Sequence, residues 1–422
     1  MKNFDYKFLT VLVALAITML NEVHSQIHVS TVADLQAMSS NPSGGYILDN
    51  DIDMQNQSWT SFDFTGTING GGYSILNLSI QHDGDRGGLF NNITGATISN
   101  LGLKNLTVNT PNAWTAGFAG NGSNSTITKC FVTGSITSNG FAGSFIGHVD
   151  NSIVSECYST ANVTGRDHVG GIVAHVNGNG ATIENCYYNG NVYSTGWQVG
   201  GIAGWAEGST VITKCYVKGT TGSESGFSGG MLGVAPGGQN VSVTKCIAMQ
   251  TSMTTVNPDI EKTYRIIGDH AGVTFTNNYG FDQMGLTDPH KFFWESAADG
   301  KDGADITSSQ FKDATFYSTN LNWDFSQIWY MDTDGPVLRW QGDFPTSLIN
   351  AEVSNIKVFV TQGQIHVVGA EANSLVEIFD ITGKRKVSEY IKSSESVYTV
   401  KGILIVRVAS ENGTTVNKVV NL

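Results

Sequence analysis

The chain has 422 residues, with 23 Lys and Arg against 36 Asp and Glu, a formal net charge of −13. That balance argues against a nucleic-acid partner, because phosphate affinity needs clustered Lys and Arg, and it disfavours an acidic polysaccharide. Fifty glycines, seven prolines and few charged residues suit many short strands joined by tight turns, in a length sufficient for two or three domains.

Residues 1–25 are expected to be a signal peptide. Lys2 and Lys7 precede an apolar run at 8–20, and Val23-His24-Ser25 offers a cleavage site before Gln26. The run is too short to span a bilayer comfortably, and no later stretch is long and apolar enough to do so. Next come Asp49-Asn50-Asp51-Ile52-Asp53, and near the far end of the first domain Asp299, Asp302 and Asp305. Either group could hold calcium, but neither matches an EF-hand loop, and both read as solvated turns. No other cofactor and no metal site is expected, and no Ser-His-Asp elbow, phosphate loop or HExxH stands in the sequence.

A repeat begins at Gly87-Gly88 and returns at Ala116-Gly117, Gly143-Ser144, Gly170-Gly171, Gly200-Gly201 and Gly229-Gly230, each followed by an apolar pair. Further along each unit an Ile or Val stands three residues before a fixed position, held by Leu101, Cys130, Cys157, Cys186, Cys215 and Cys246. A unit of about thirty residues cannot bury its apolar face alone, but stacked units can, as coils of parallel strands about 4.8 Å apart. Ile127, Val154, Ile183, Ile212 and Val243 then form one interior column and the five cysteines another. In-register Cβ atoms stay at the coil spacing, whereas a disulfide needs them about 3.8 Å apart. An odd number of free thiols is therefore acceptable in an exported protein. Disulfides between adjacent coils and a zinc site are the competing readings, and the thirty-residue spacing resembles no zinc knuckle.

Three columns are candidate sites. After the glycines stand Asn92, Asn121, His148, His175, Trp205 and Val234; a histidine here could act as a base, with Asp150 and Asn177 placed to orient the rings. Before the glycines stand Arg86, Trp114, Phe141, Arg166-Asp167-His168, Trp197 and Phe227. These are loop positions, where aromatics beside Arg and Asp could hold a sugar ring, or fold back to plug the corner. After the cysteines stand Phe131, Tyr158, Tyr187, Tyr216 and Ile247, an outward aromatic ladder if cysteine points in. Ile127 and Cys130 are an odd number apart, so both face inward only if a bend lies between them. The candidate catalytic residues are thus His148, His175, His168, Arg166 and Asp167; the candidate ligand-binding residues are Trp197, Trp205, Trp114, Tyr158, Tyr187 and Tyr216.

The phrases GGLFNNITGATISNLGL, AGFAGNGSNSTITKCFVTGSI, VGGIVAHVNGNGATIENCYYNGNV and VGGIAGWAEGSTVITKCYVKG resemble the GLUG repeat of bacterial surface proteins, found also in the non-catalytic part of some immunoglobulin-A peptidases. Residues 46–54, 64–80 and 321–340 resemble the coils that open and close such arrays. The resemblance implies an all-β fold, a right-handed parallel β-helix over 26–345. Residues 354–422 read as short alternating strands carrying eight Lys and Arg against six acids from Val353 onward. They resemble the type A C-terminal sorting domain of the Bacteroidota type IX secretion system, through IFDITGK at 378–384, GILIVRV at 402–408 and Lys418-Val419-Val420, with Leu404 where the family usually has Tyr. This implies a small β-sandwich, the type IX secretion machinery as a partner, and a secreted or outer-membrane surface-attached protein.

The sequence alone favours a non-catalytic, adhesin-like β-helix that binds an extracellular glycan or another host or surface ligand. The alternatives are a polysaccharide lyase or glycoside hydrolase on the same scaffold, and a structural stalk.

Overall fold

In a computed structural model, residues 26–342 and 357–421 are described, apart from short stretches at 56, 82–83, 112–113, 257–262, 362–363, 370–373, 381–383, 393–394 and 411–412. The expected signal peptide lies outside the described residues. The chain folds as two compact units, before and after the Phe344–Pro345 junction.

The first unit is the parallel β-helix that the repeat predicts. Among the described residues its three long sheets hold ten, fourteen and eight strands, and the pairings joining successive coils are parallel. The expected register is observed. On the first sheet Ile98, Ile127, Val154, Ile183, Ile212 and Val243 pair in sequence, all of them buried. Each such side chain removed from water stabilises the coil by roughly 1.5–3 kcal/mol. The glycine pairs let the coils close at the corner. A Cβ on Gly171, Gly201 or Gly230 would sit 2.0, 2.2 or 1.9 Å from a carbonyl oxygen of the next coil.

The bend required between Ile127 and Cys130 is a left-handed residue. Asn100, Lys129, Glu156, Asn185, Lys214, Lys245 and Asn277 all have φ between 50° and 57°. A non-glycine residue there costs roughly 1–2 kcal/mol, offset by hydrogen bonds between coils. Lys129 N–H donates to Ser155 O at 3.2 Å, Glu156 N–H to Glu184 O at 3.1 Å and Lys214 N–H to Thr244 O at 3.2 Å. The next residue turns inward, so all five cysteines are buried and unpaired. Each thiol donates to the carbonyl two residues back, at 3.1–3.2 Å. In the following coil Asn278 takes the same place: its Oδ1 accepts from Cys246 N–H at 3.0 Å and its Nδ2 donates to Val243 O at 2.7 Å. Cysteine is thus used here as a small apolar side chain with one weak donor.

Helix α1 (Val32–Ala37) lies at the N-terminal end. A capping box fixes it: Thr31 Oγ1 accepts from Asp34 N–H, and the Asp34 carboxylate accepts from Thr31 N–H. Leu35 of α1 and Met38 join the core of the first coils. Towards the other end, buried Arg265 donates to the carbonyls of Gly280, Phe281, Asp302 and Gly303 and pairs with Asp305 at 2.8 Å. Beside it Lys291 pairs with Asp302 at 2.7 Å. The chain then returns along the helix as α2 (Ser308–Phe311), α3 (Ala314–Asn320) and a hairpin of Trp329–Asp332 with Gly335–Leu338.

The second unit is antiparallel. One sheet pairs Lys357–Thr361, Gln364–Val368 and Glu395–Tyr398; the other pairs Arg385–Tyr390, Leu375–Asp380, Gly402–Ser410 and Gly413–Asn421. Ile365, Val367, Val376, Ile378, Val406 and Val408 fill its core, and so does Leu404.

Candidate functional site

The column after the glycines lies on the outer side of the third sheet in the expected register. Asn92 pairs with Asn121, Asn121 with His148, His148 with His175, His175 with Trp205 and Trp205 with Val234. The residues just before the glycines fold over this column instead of standing apart from it. A corner ring of one coil meets the sheet ring of the next. Trp114 stacks on His148 with centroids 4.1 Å apart, Phe141 meets His175 edge-on at 5.6 Å, and His168 stacks on Trp205 at 4.8 Å. Phe141 also lies 4.7 Å from His168. Six half-buried rings therefore form one continuous strip running along the helix axis.

Polar groups border the strip. The Arg86 guanidinium lies 5.4 Å from the Trp114 centroid and donates to Asn92 Oδ1 at 2.6 Å; Asn92 Nδ2 donates to Asp63 at 2.6 Å. Trp205 Nε1 donates to Glu207 at 2.8 Å. His148 Nδ1 hydrogen-bonds Asn121 Oδ1 at 2.8 Å, which fixes this nitrogen as the donor. His168 and His175 approach each other Nδ1 to Nδ1 at 3.0 Å.

Burial holds all three imidazoles uncharged at neutral pH. It lowers His148, pushes His168 down to about 4, and pushes His175 down to about 3 with help from the neighbouring His168 and His148. Bases as weak as His168 and His175 are poorly matched to proton abstraction near pH 7. Nor do the expected orienting groups serve: Asp150 binds Asn179 through its backbone and side-chain nitrogens at 3.3 and 3.0 Å. Arg166 is tied into the loop through its carbonyl, which accepts from Ser194 Oγ and Trp197 N–H. Asp167 is likewise held through its backbone, its N–H donating to Gly140 O and its carbonyl accepting from Gln198 N–H. Trp197 is 60 % exposed and lies outside the strip.

The tyrosine face requires a correction. Phe131, Tyr158, Tyr187 and Tyr216 do form a ladder, stacked at 5.2, 5.0 and 4.8 Å within 9° of parallel. Its lower half is covered, while Phe131 and Tyr158 stay half-buried beside Trp340. Tyr187 and Tyr216 are 6 % and 4 % exposed, under a second hydrophobic core built by Phe311, Trp323, Trp329 and Leu338. Three indoles anchor this cover to the left-handed corners: Trp323 Nε1 donates to Lys245 O, Trp329 Nε1 to Asn185 Oδ1 and Trp340 Nε1 to Glu156 O. Tyr216 Oη donates to Pro336 O at 2.7 Å, and Gln341 Nε2 donates to Tyr187 Oη at 2.8 Å. The density of Trp between 323 and 340 is the sequence signal for such a cover. The fold-back of the corner rings is one of the two readings the sequence offers, but the sheet rings they meet are not legible in it, because the overlay joins side chains of different units.

The aspartates do not converge on a calcium cage either. Asp49 binds His28 and Ser30, Asp51 accepts from Ser74 N–H, Asp53 from Asn77 and Gln55, and Asp299 from Asn277 N–H. Asp302 and Asp305 are held by Lys291 and Arg265. Among the described residues, no three His, Cys, Asp or Glu side chains converge to hold a metal ion.

Residues 20–134 match the family described as M26 IgA1-specific metallo-endopeptidase N-terminal region, and residues 195–221 match the GLUG motif. A solved structure from Bacteroides ovatus, described as a candidate immunoglobulin A1 protease, superposes with a TM-score of 0.51 at 18 % identity, over 75 % of this chain and 92 % of that one. A second, an IgA1 protease, gives a TM-score of 0.47 at 19 % identity, over 60 % of this chain and 21 % of that one. A search of curated proteins finds no match. The match over 20–134 overturns the reading of a non-catalytic, glycan- or ligand-binding adhesin and points to a peptidase-related protein. Cleavage of polysaccharide finds no support among these similarities. The metal implied by a metallo-endopeptidase has no three-ligand set among the described residues, so no chemical step is derived through one. The first unit is a GLUG-repeat parallel β-helix whose first coils are similar to the N-terminal region of IgA1-specific metallo-endopeptidases.

Proposed function

We propose that this chain is a peptidase-related exported protein whose β-helix engages a polypeptide substrate along the ring strip of its third sheet. The observation that carries the reading is the match of residues 20–134 to the metallo-endopeptidase N-terminal region, a segment that contains Arg86, Asn92, Trp114 and Asn121 of the strip. The chemistry of the strip supports it. Half-buried Trp faces are strong anchors for protein partners, the imidazoles add apolar faces uncharged at neutral pH, and Asn92 and Asn121 offer amides to a peptide backbone. Immunoglobulin A1, named for the similar proteins, is the first polypeptide to test. The full-length chain is expected to bind it, and Trp114→Ala with Trp205→Ala to weaken that binding at least tenfold in surface plasmon resonance. Gel and mass analysis of the mixture reads any cleavage. No binding and no cleavage, for immunoglobulin A1 and for a broad panel of extracellular proteins, would overturn the proposal.

The second unit is proposed to act as the type IX sorting domain its motifs resemble. Leu404, in place of the usual Tyr, is a core residue and keeps the apolar character of that position. Deleting 354–422 is expected to leave the protein in the periplasm of its host. Unchanged delivery to the cell surface would refute this.

A further inference from the structure

The interleaving of corner and sheet rings places two imidazole nitrogens from one coil side by side. His168 stands at the start of the corner strand His168–Gly170, and His175 lies on the third-sheet strand Val173–Val176. Their Nδ1 atoms are 3.0 Å apart, and their ring centroids 4.8 Å. Trp205 stacks on His168 within 5° of parallel, and Phe141 stands edge-on to His175. The rings are thus held on two sides, and both remain partly open to solvent.

We infer that His168 and His175 form a two-nitrogen site for a late first-row divalent transition-metal ion, with Cu²⁺ bound more tightly than Ni²⁺ or Zn²⁺. At a metal–nitrogen distance of about 2.0 Å, two nitrogens 3.0 Å apart subtend about 97° at the ion. That is the cis edge of a square-planar or tetragonal centre, the geometry of Cu²⁺ and Ni²⁺, and is narrower than the tetrahedral angle zinc prefers. The order of affinity follows the Irving–Williams series. The metal-free pair shares one Nδ1–H···Nδ1 hydrogen bond, so one ring carries its proton on Nδ1 and the other on Nε2. Binding needs both Nδ1 lone pairs. The first ring moves its proton to Nε2 through solvent, no proton is lost overall, and a modest rotation of each ring turns the lone pairs to a common point. No third His, Cys, Asp or Glu among the described residues completes the set, so water fills the remaining positions. The inference does not rest on the proposed polypeptide function, because metal binding is measured with no polypeptide present.

His28 is a second place where nitrogen could capture Cu²⁺, since cleavage before Gln26 would make it the third residue of the mature chain. The titration is therefore done on the full-length chain carrying His28→Ala. Cu²⁺ titrated calorimetrically is expected to bind at one site per chain. The electron paramagnetic resonance spectrum of the complex should show hyperfine coupling to two equivalent imidazole nitrogens. His168→Ala and His175→Ala should each weaken binding at least tenfold, and Ni²⁺ and Zn²⁺ should compete in that order. Binding unchanged in the double variant, or a spectrum without two-nitrogen coupling in the His28→Ala chain, would overturn the inference. The spectrum decides the matter even if the histidine variants fold poorly.

Discussion

At the residue scale, the five cysteines and three histidines of the strip show what stacking does to reactive side chains. The thiols are fully buried, and burial raises Cys157, Cys215 and Cys246 well above the usual thiol range. They should resist alkylation in the native protein, and five should react once it is denatured, as counted by mass spectrometry. Fewer than five would reveal a disulfide between coils. The histidines act in the opposite direction. Folding lowers the affinity of His168 and His175 for protons, so the unfolded chain binds more protons than the native one at acid pH. Their contribution to stability is complete above the unfolded value near 6.5 and drains away as pH falls towards about 4 and about 3. The melting temperature should therefore fall between pH 6.5 and 4, and fall less in a His168→Gln, His175→Gln variant.

At the scale of the element, the corner before each cysteine sets the direction of everything after it. Lys214 has φ 53°, so Lys214→Gly should stabilise the fold by a few tenths to about 1 kcal/mol and Lys214→Val should destabilise it by about 1–2 kcal/mol, read from denaturant midpoints. The cover over the tyrosine ladder is an element of the same weight. Trp329 is fully buried and packs on Trp323, Tyr187 and Tyr216. Trp329→Ala should cost roughly 3–5 kcal/mol and open residues 307–341 to limited proteolysis. Unaltered proteolysis would mean the cover is not held by this core. The interior columns were legible in the sequence because the repeat carries its register with it: matching letters such as Ile127 and Val154 become neighbours. The burial of Tyr187 was not legible, because the residues that cover it lie more than a hundred positions away and outside the repeat. The left-handed corner lies between these cases. The odd spacing of Ile127 and Cys130 demands a bend, but Lys, Glu and Asn at that position carry no shared signal for one.

At the scale of the whole molecule, the first unit is a stack in which every functional feature depends on coils meeting in register. The strip exists because Trp114, Phe141 and His168 each reach the ring of the following coil, and the pairing of His168 with His175 exists because corner and sheet of one coil are folded together. A single coil out of register would expose the imidazoles to water. The most direct test is therefore a nuclear magnetic resonance pH titration of the full-length protein carrying isotope-labelled histidine. With His168 and His175 assigned by substitution, their ring signals should stay those of neutral imidazole from pH 8 to pH 5, with transitions only near 4 and near 3. A midpoint near 6.5 for either ring would place it in water and contradict the stacked strip.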